Sequence, residues 1–256
     1  MAPHPLSLFP PLFPPAQSCQ NLRPPKQIIS PFHNQIGLIK QVKGHFKKYL
    51  ERGYYPFTFE NEEVYYERLI RVIDKTIFED IANFYQLKTP HLHTFKKLLS
   101  YLSSVPPREL NTNNLAKNIG LSNQTTFHYL TILNDVGLAR FVFPYETGNQ
   151  LLRKPQKMFL HNTNLLYALQ HYLGQNPSQG TVRELFFLQA LNDANHQTFY
   201  LKIGDYRTTN TLFEIGGKNK TDKQLKGSDL PAYLVKDDIL MPTVGTLPLL
   251  YFGFLY

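Results

Sequence analysis

The chain is 256 residues long and 42% hydrophobic, which is enough for one large or two small domains with a packed core. Its only cysteine, Cys19, excludes an intrachain disulfide and a cysteine-based metal cluster. The formal net charge of +8 favours an anionic partner, with nucleic acid first and a membrane surface second.

Residues 1–35 are set apart by proline, which occurs in the pairs Pro10-Pro11, Pro14-Pro15 and Pro24-Pro25. Because proline lacks a backbone donor and bars helix, this segment is predicted to be extended or disordered; a proline-rich docking tail is the alternative. The start lacks the basic residues and apolar core of a signal peptide. No apolar run approaches the ~20 residues of a membrane-spanning helix. The sequence therefore predicts a cytoplasmic protein without a membrane partner.

Three amphipathic helices are predicted to form a bundle between residues 36 and 105. The first begins at Ile36 and stops at Gly53, the second can be capped by Asn61, and the third covers residues 91–102. The apolar face of the second helix is predicted to contain Val64, Leu69, Val72, Ile73 and Ile77.

Residues 110–145 have the pattern of a winged helix-turn-helix. A helix ends at Gly120, Ser122 can cap a second helix over 123–135, and an apolar strand over 138–143 follows. Helix, glycine turn, capped helix and strand is the order of that motif. The residues of the second helix that are predicted to face inward are Phe127, Leu130 and Leu133.

Two interpretations of this motif are open. In the first, polar residues at the start of the second helix contact DNA bases, and two nearby cations assist them. In the second, the motif is a protein–protein winged helix, because the exposed face is only modestly basic. The predicted nucleic-acid contacts are Asn123, Gln124, Thr125 and His128, with Lys117 and Arg140 nearby.

Beyond residue 150 the pattern changes to short strands that alternate with helices. Helices are predicted over 164–172 and 182–191, and strands over 157–160, 198–203, 211–215, 232–235 and 247–255. The predicted domains are therefore a helical module at 36–146 and a small α/β module at 150–256, with a boundary near 146–156. The fold class is α+β.

Four residues of the α/β module follow the order of restriction-endonuclease-type nucleases: Glu184, Asp205, Glu214 and Lys218. Two of them, Asp205 and Glu214, could hold Mg²⁺ or Mn²⁺ by oxygen, and a lysine could stabilise charge on a phosphate. Those nucleases place the lysine two residues after the Glu, where this chain has Gly216. Taken singly, each residue also suits an ion pair, a turn or a solvated face. We therefore expect an inherited or degenerate site rather than an efficient nuclease.

Motifs for nucleotide binding are missing from the sequence. Gly216-Gly217-Lys218 lacks the first glycine and the final Ser or Thr of a phosphate-binding loop, and no Gly-x-Gly-x-x-Gly occurs. ATP is therefore not expected as a cofactor.

Four segments carry a resemblance to a known family. They are residues 46–57, the helix-turn-helix, residues 213–221 with the sequence Phe-Glu-Ile-Gly-Gly-Lys-Asn-Lys-Thr, and the ending Gly-Phe-Leu-Tyr at 253–256. Together they resemble the C-terminal half of a bacterial and archaeal AAA+ ATPase family. This resemblance implies a winged helix followed by a restriction-endonuclease-like domain of unknown function. The N-terminal ATPase domain of that family has no counterpart here, which predicts a truncated or frame-shifted product.

The sequence supports three hypotheses about function. The leading one is an AAA+-family fragment that binds DNA through the winged helix and the basic strand edge and does not hydrolyse ATP. The second is a Mg²⁺- or Mn²⁺-dependent nuclease. The third is an interaction module that binds a separate ATPase polypeptide or forms a homo-oligomer.

Overall fold

The computed structural model describes residues 36–105, 109–146, 156–201, 204–217, 219–222, 225 and 228–255. The proline-rich segment 1–35 lies outside these ranges, and so do residues 147–155 of the predicted boundary.

The N-terminal part of the described chain is helical, as predicted. Its helices are α1 (Ile36–Arg52), α2 (Tyr65–Lys75), α3 (Ala82–Tyr85) and α4 (Thr89–Ser104). A π-helical stretch, Thr76–Ile81, joins α2 to α3 without a break, and a 3-10 turn, Pro56–Phe59, precedes α2.

The buried face of α2 continues through the π-helical stretch. Tyr65, Leu69, Ile73, Ile77 and Ile81 follow one another at intervals of four residues, and each is at most 2% exposed. Four-residue spacing places these side chains on one stripe of a helix, and the stripe faces the core. The prediction that Val72 belongs to this face is wrong, because its side chain is 46% exposed.

The predicted helix-turn-helix is followed by an antiparallel hairpin. The elements are α5 (Thr112–Ile119), α6 (Asn123–Asp135), β1 (Ala139–Pro144) and β2 (Lys157–Leu160). Ala139 pairs with Leu160 and Val142 with Lys157. The prediction that Phe127 faces inward is wrong, because the side chain is 44% exposed.

The remaining elements complete a mixed α+β fold. They are α7 (Thr163–Tyr172), α8 (Gln179–Asp193), β3 (Phe199–Tyr200), β4 (Tyr206–Arg207), β5 (Leu212–Gly216), β6 (Ala232–Lys236) and β7 (Thr246–Pro248). The strand predicted over 247–255 is wrong in its second half, where a 3-10 helix, Leu249–Phe254, follows β7. This turn packs under α8, where the ring of Phe252 lies 4.8 Å from that of Phe187.

One sheet runs through both predicted modules. Within the described residues it has seven strands in the order β2-β1-β3-β4-β5-β6-β7. The strands β1 and β3 are parallel, as are β5, β6 and β7, while the pairs β1–β2, β3–β4 and β4–β5 are antiparallel. Because β1 pairs with strands on both sides, the helix-turn-helix is attached directly to the sheet.

Asn164 connects α7 to the N-terminal helices. Its side-chain oxygen accepts hydrogen bonds from the backbone N–H of Tyr54 at 2.9 Å and from the hydroxyl of Tyr65. Its amide nitrogen donates to the carbonyl oxygens of Tyr49 at 3.1 Å and Leu50 at 2.9 Å. The Asn164 side chain is fully buried. These bonds satisfy backbone groups at the end of α1, so the two parts of the chain share one core.

The lengths and apolar content of the helices in the described residues bear on whether one could span a membrane. None of them is both long and apolar enough to cross a bilayer.

Candidate functional site

The first candidate site is the surface formed by α5, the turn and α6. Gly120 ends α5 with a φ of 73°, a conformation that favours glycine. Ser122 begins α6, and its hydroxyl accepts a hydrogen bond from the N–H of Thr125 at 3.0 Å. Gly120 at the end of α5 and Ser122 at the cap of α6 both take the positions that the sequence predicts.

Most of the predicted nucleic-acid contacts lie on this surface. Asn123, Gln124 and His128 are exposed on α6, and Lys117 is exposed on α5. Thr125 is half-buried, because its hydroxyl lies 2.8 Å from that of Ser122 and forms part of the helix cap. The opposite side of α6 is buried in the core through Tyr129, Leu130, Ile132 and Leu133.

Arg140, the remaining predicted contact, turns away from this surface. Its guanidinium donates to the Nε2 of His161 at 2.9 Å and lies 3.9 Å from a carboxylate oxygen of Asp193. It also contacts the carbonyl oxygen of Leu188 at 3.5 Å. Burial lowers the pKa of Arg140 and lowers that of His161 to about 4. Arg140 therefore holds β1 to α8, and this internal role argues against the predicted DNA contact.

The α6 surface also contains an exposed aromatic side chain, that of Phe127. The Phe127 ring stacks on that of Phe141 in β1 with centroids 5.8 Å apart, and Phe143 follows at 6.3 Å from Phe141. Phe143 is 43% exposed. Phe127 shares a helix face with Gln124, which lies three positions earlier, and Gln124 shares one with His128, four positions later. The surface is thus partly aromatic, which the sequence analysis missed.

The second candidate site lies where α8 meets β4 and β5. Glu184 on α8 accepts a hydrogen bond from the hydroxyl of Tyr206 at 2.7 Å. Asp205, just before β4, accepts one from the backbone N–H of Ile215 at 2.7 Å. Glu214 in β5 is fully buried. The structure thus brings the three predicted carboxylates to one place.

The cation of this second site is Lys220. Its ammonium lies 2.5 Å from Oε1 of Glu214. Its side chain lies across Gly216, so that a Cβ at position 216 would meet the Cβ and Cγ of Lys220 at 2.4 Å. Gly216 and Glu214 share one face of β5, since side chains alternate along a strand. Lys218, which the sequence analysis selected, lies outside the described residues.

The electrostatics of the second site are those of a compact cluster. Burial raises the pKa of Glu184, and the neighbouring Asp205 raises it further. Burial also raises the pKa of Glu214, although Lys220 acts in the opposite direction. The hydrogen bond to Glu214 raises the pKa of Lys220, and Asp205 and Glu184 add to this effect. The Lys220 ammonium therefore interacts with three carboxylates, and Lys157 also lowers the pKa of Glu184.

The fit of a metal ion to these residues can be judged from their partners. Asp205 and Glu214, the predicted ligands, each accept a bond from a protein group, Ile215 N–H and Lys220 respectively. In the part of the chain that the structure describes, no three His, Cys, Asp or Glu side chains form a group that could hold a metal. In this arrangement Lys220 already pairs with Glu214, so a Mg²⁺ or Mn²⁺ ion at Asp205 and Glu214 would have to displace the Lys220 ammonium from that carboxylate.

Comparison with known proteins places the helix-turn-helix in a family. The model of the family described as "Domain of unknown function (DUF8612)" matches residues 43–179, more than half of the chain. The chain belongs to this family. DUF8612 thus includes α5, α6, the β1–β2 hairpin and α7, and it ends in the first turn of α8. The first candidate site lies inside the matched region, and the carboxylates lie beyond it.

The chain is also similar to a curated archaeal protein. An uncharacterized protein of Methanocaldococcus jannaschii is 24% identical to this DUF8612 chain over 150 residues. The match covers 58% of this chain and 31% of the archaeal protein, so the chain spans less than a third of the length of that relative. No solved structure matches the chain.

Proposed function

We propose that this DUF8612 chain binds duplex DNA through α6 and does not hydrolyse ATP. The observation that carries the proposal is the two-sided character of α6. Asn123, Gln124 and His128 project into solvent from its first turns, while the opposite face is buried. Such a helix can enter a major groove with its polar N-terminal residues toward the base edges.

Charge supports the same proposal. The chain carries a formal net charge of +8, and most of the affinity for nucleic acid comes from phosphate contacts. Lys117 is exposed on α5, the helix that would cross the DNA backbone in a winged helix. With Arg140 held inside, Lys117 is the cation of the predicted set that remains for a phosphate. We therefore expect weak binding, with a dissociation constant on the order of 1–100 μM at moderate salt.

The test is a titration of a fluorescent duplex at several salt concentrations. Lys117→Ala should weaken binding and reduce the slope of log K against log salt by about 0.9. Gln124→Ala should weaken binding without changing the slope, because an amide contacts bases rather than phosphate ions. Lys47→Ala on α1 removes an equal charge and is the matched control. Absence of duplex binding at low salt would refute the proposal.

The same titration also tests the alternative hypothesis of an interaction module. The resemblance to AAA+ ATPases stays a prediction, since neither DUF8612 nor the archaeal relative has an assigned function. A chain that binds no DNA but forms a stable oligomer, insensitive to salt, would favour the predicted interaction module.

A second candidate is cleavage of nucleic acid at the carboxylate cluster. The observation that favours it is the convergence of Glu184, Asp205 and Glu214 on the Lys220 ammonium. The test is incubation with plasmid DNA and Mg²⁺ or Mn²⁺, with Glu214→Gln beside the unmodified chain. Cleavage that the substitution removes would establish the site, and cleavage that it leaves unchanged would assign the activity to a contaminant.

A further inference from the structure

A cavity lies directly beside the α6 surface. It has a volume of about 430 Å³ and opens between the C-terminal ends of α6 and α8 and the strands β1 and β3. Its lining includes the rings of Phe141, Phe143 and Phe199. Cavities of about 300–1,000 Å³ are typical of sites for small organic groups.

The aromatic side of the cavity continues into the DNA surface proposed above. Phe141 lines the cavity and also stacks on Phe127 of α6, at 5.8 Å. Phe143 and Phe199 lie side by side as register partners of the parallel pair β1–β3. A strand of nucleic acid that leaves α6 would therefore meet a row of rings, on which bases of any sequence can stack.

The polar side of the cavity suits the edge of a base. Asn192 and Gln197 are exposed amides that line it; the Asn192 side chain also bonds to the neighbouring Asp193, and the Gln197 amide has both a donor and an acceptor. Asn134 lines it as well, with its oxygen bonded to the N–H of Phe141 at 3.2 Å. Rings that stack and amides that bond in the ring plane are the two elements by which proteins recognise an unpaired base.

The charges of the cavity favour a neutral ligand over a phosphate. The cation at its base, Arg140, is paired with Asp193 and bonded to His161. The low pKa of His161 keeps this imidazole uncharged at neutral pH. The exposed carboxylate of Asp135 also lines the cavity, and it would repel an anion. A flat, neutral, aromatic group with hydrogen-bonding edges is the ligand that fits this combination.

We infer that this cavity receives an unpaired nucleobase of the DNA that lies on α6. The inference rests on the proposed function and specifies its substrate class: a duplex that continues into a single strand. The base stacks on the exposed ring of Phe143, and its edge contacts the amides of Gln197 and Asn192.

The experiment compares three labelled DNAs by fluorescence anisotropy: a blunt duplex, the same duplex with a single-stranded extension at either end, and the single strand alone. One extended duplex should bind about 5-fold to 150-fold more tightly than the blunt one for one stacked base. Phe143→Ala should remove this gain, so that the extended and the blunt duplex bind with equal affinity. Phe254→Ala, which removes a ring that is 75% exposed and does not line the cavity, should have no effect.

A second readout reports stacking itself. When the first unpaired base is 2-aminopurine, binding should quench its emission, and Phe143→Ala should reverse the quenching. Gln197→Ala should change the preference among the four bases at this position while the quenching persists, because an amide reads edges rather than ring faces.

The outcomes separate the inference from the proposed function. Equal affinity of wild type for blunt and extended duplexes would overturn the inference and leave duplex binding intact. Binding of the single strand but of neither duplex, with an affinity that Phe143→Ala lowers, would support the role of the cavity and refute the proposal of duplex binding. Absence of binding to all three DNAs would overturn both.

Discussion

Gly216 provides the sharpest test of the carboxylate cluster. The substitution Gly216→Ala adds a Cβ that would lie 2.4 Å from the Cβ and Cγ of Lys220 and 3.0 Å from its Cδ. These atoms are near the Lys220 backbone, so rotation of the far end of the side chain cannot relieve the contact. The lysine must move, and its ammonium must leave Oε1 of Glu214.

The cost follows from the burial of the two partners. Glu214 is fully buried, whereas the Lys220 side chain is 36% exposed. Removing one partner of a buried ion pair costs about 3–5 kcal/mol, and an exposed pair is worth about 0–1 kcal/mol. For this half-exposed pair we expect Gly216→Ala to cost about 2 kcal/mol. Lys220→Gly should cost a similar amount, since it also leaves the Glu214 carboxylate without its cation.

The double variant decides between steric displacement and other causes. Once residue 220 lacks a Cβ, Ala at 216 has room, and alanine in a strand is about 0.5–1 kcal/mol more favourable than glycine. Gly216→Ala should therefore change from destabilising to neutral or mildly stabilising in the Lys220→Gly background. The assay is urea unfolding followed by far-ultraviolet circular dichroism, because the chain has no tryptophan. Additivity of the two substitutions within about 0.5 kcal/mol would refute the reasoning.

Three further predictions concern groups inside the fold. Asn164→Ala should destabilise the chain by about 3 kcal/mol, because buried backbone groups and the Tyr65 hydroxyl lose their hydrogen-bond partner. The control Asn118→Ala, at an exposed position, should cost less than about 0.5 kcal/mol. Thermal unfolding compares the two variants. Because the pKa of His161 falls to about 4, the unfolded chain takes up this proton first, and stability should drop as the pH falls from about 6.5 to about 4. The His161→Gln variant should lack this fall in stability, and the His45→Gln variant should keep it. Midpoints of urea unfolding measured across the pH range test both. Tyr206→Phe should cost about 1–2 kcal/mol by removing the hydroxyl that donates to the half-buried Glu184 carboxylate, and retention of full stability would contradict this.

The sequence predicts the helical elements well because their signals are local. Gly120 with its left-handed backbone and Ser122 with its cap act within a few residues, and both lie where the pattern places them. The α+β class is confirmed, and the strands predicted over 157–160, 211–215 and 232–235 coincide with β2, β5 and β6 to within one residue. The winged-helix and restriction-endonuclease-like assignments stay predictions.

The errors arise where a non-local contact decides. Phe127 has the spacing of a core residue, but the Phe141 ring from β1 holds it at the surface. The second half of the strand predicted over 247–255 is apolar because Leu249 and Phe252 fill the space under α8, and a 3-10 turn does this as well as a strand. Periodicity within a short apolar run cannot distinguish these cases.

The sequence predicts the three carboxylates of the second site but selects Lys218 rather than Lys220 as their cation. Glu184, Asp205 and Glu214 meet because α8 and the β4–β5 pair bring them together. Lys220 reaches the cluster only because Gly216 lacks a side chain. The signal was present in the Gly216-Gly217 pair, since a glycine on a buried strand marks a place where another group approaches closely.

The position of β1 also bears on how this protein can be divided. Cutting the chain near residue 146 would separate β1 from β2 and β3 and leave unpaired N–H and C=O groups along both of its sides. A strand with two open edges is a template for pairing with other molecules. Either half expressed alone should therefore aggregate, and limited proteolysis in this region should leave a nicked protein whose fragments stay together until they are denatured.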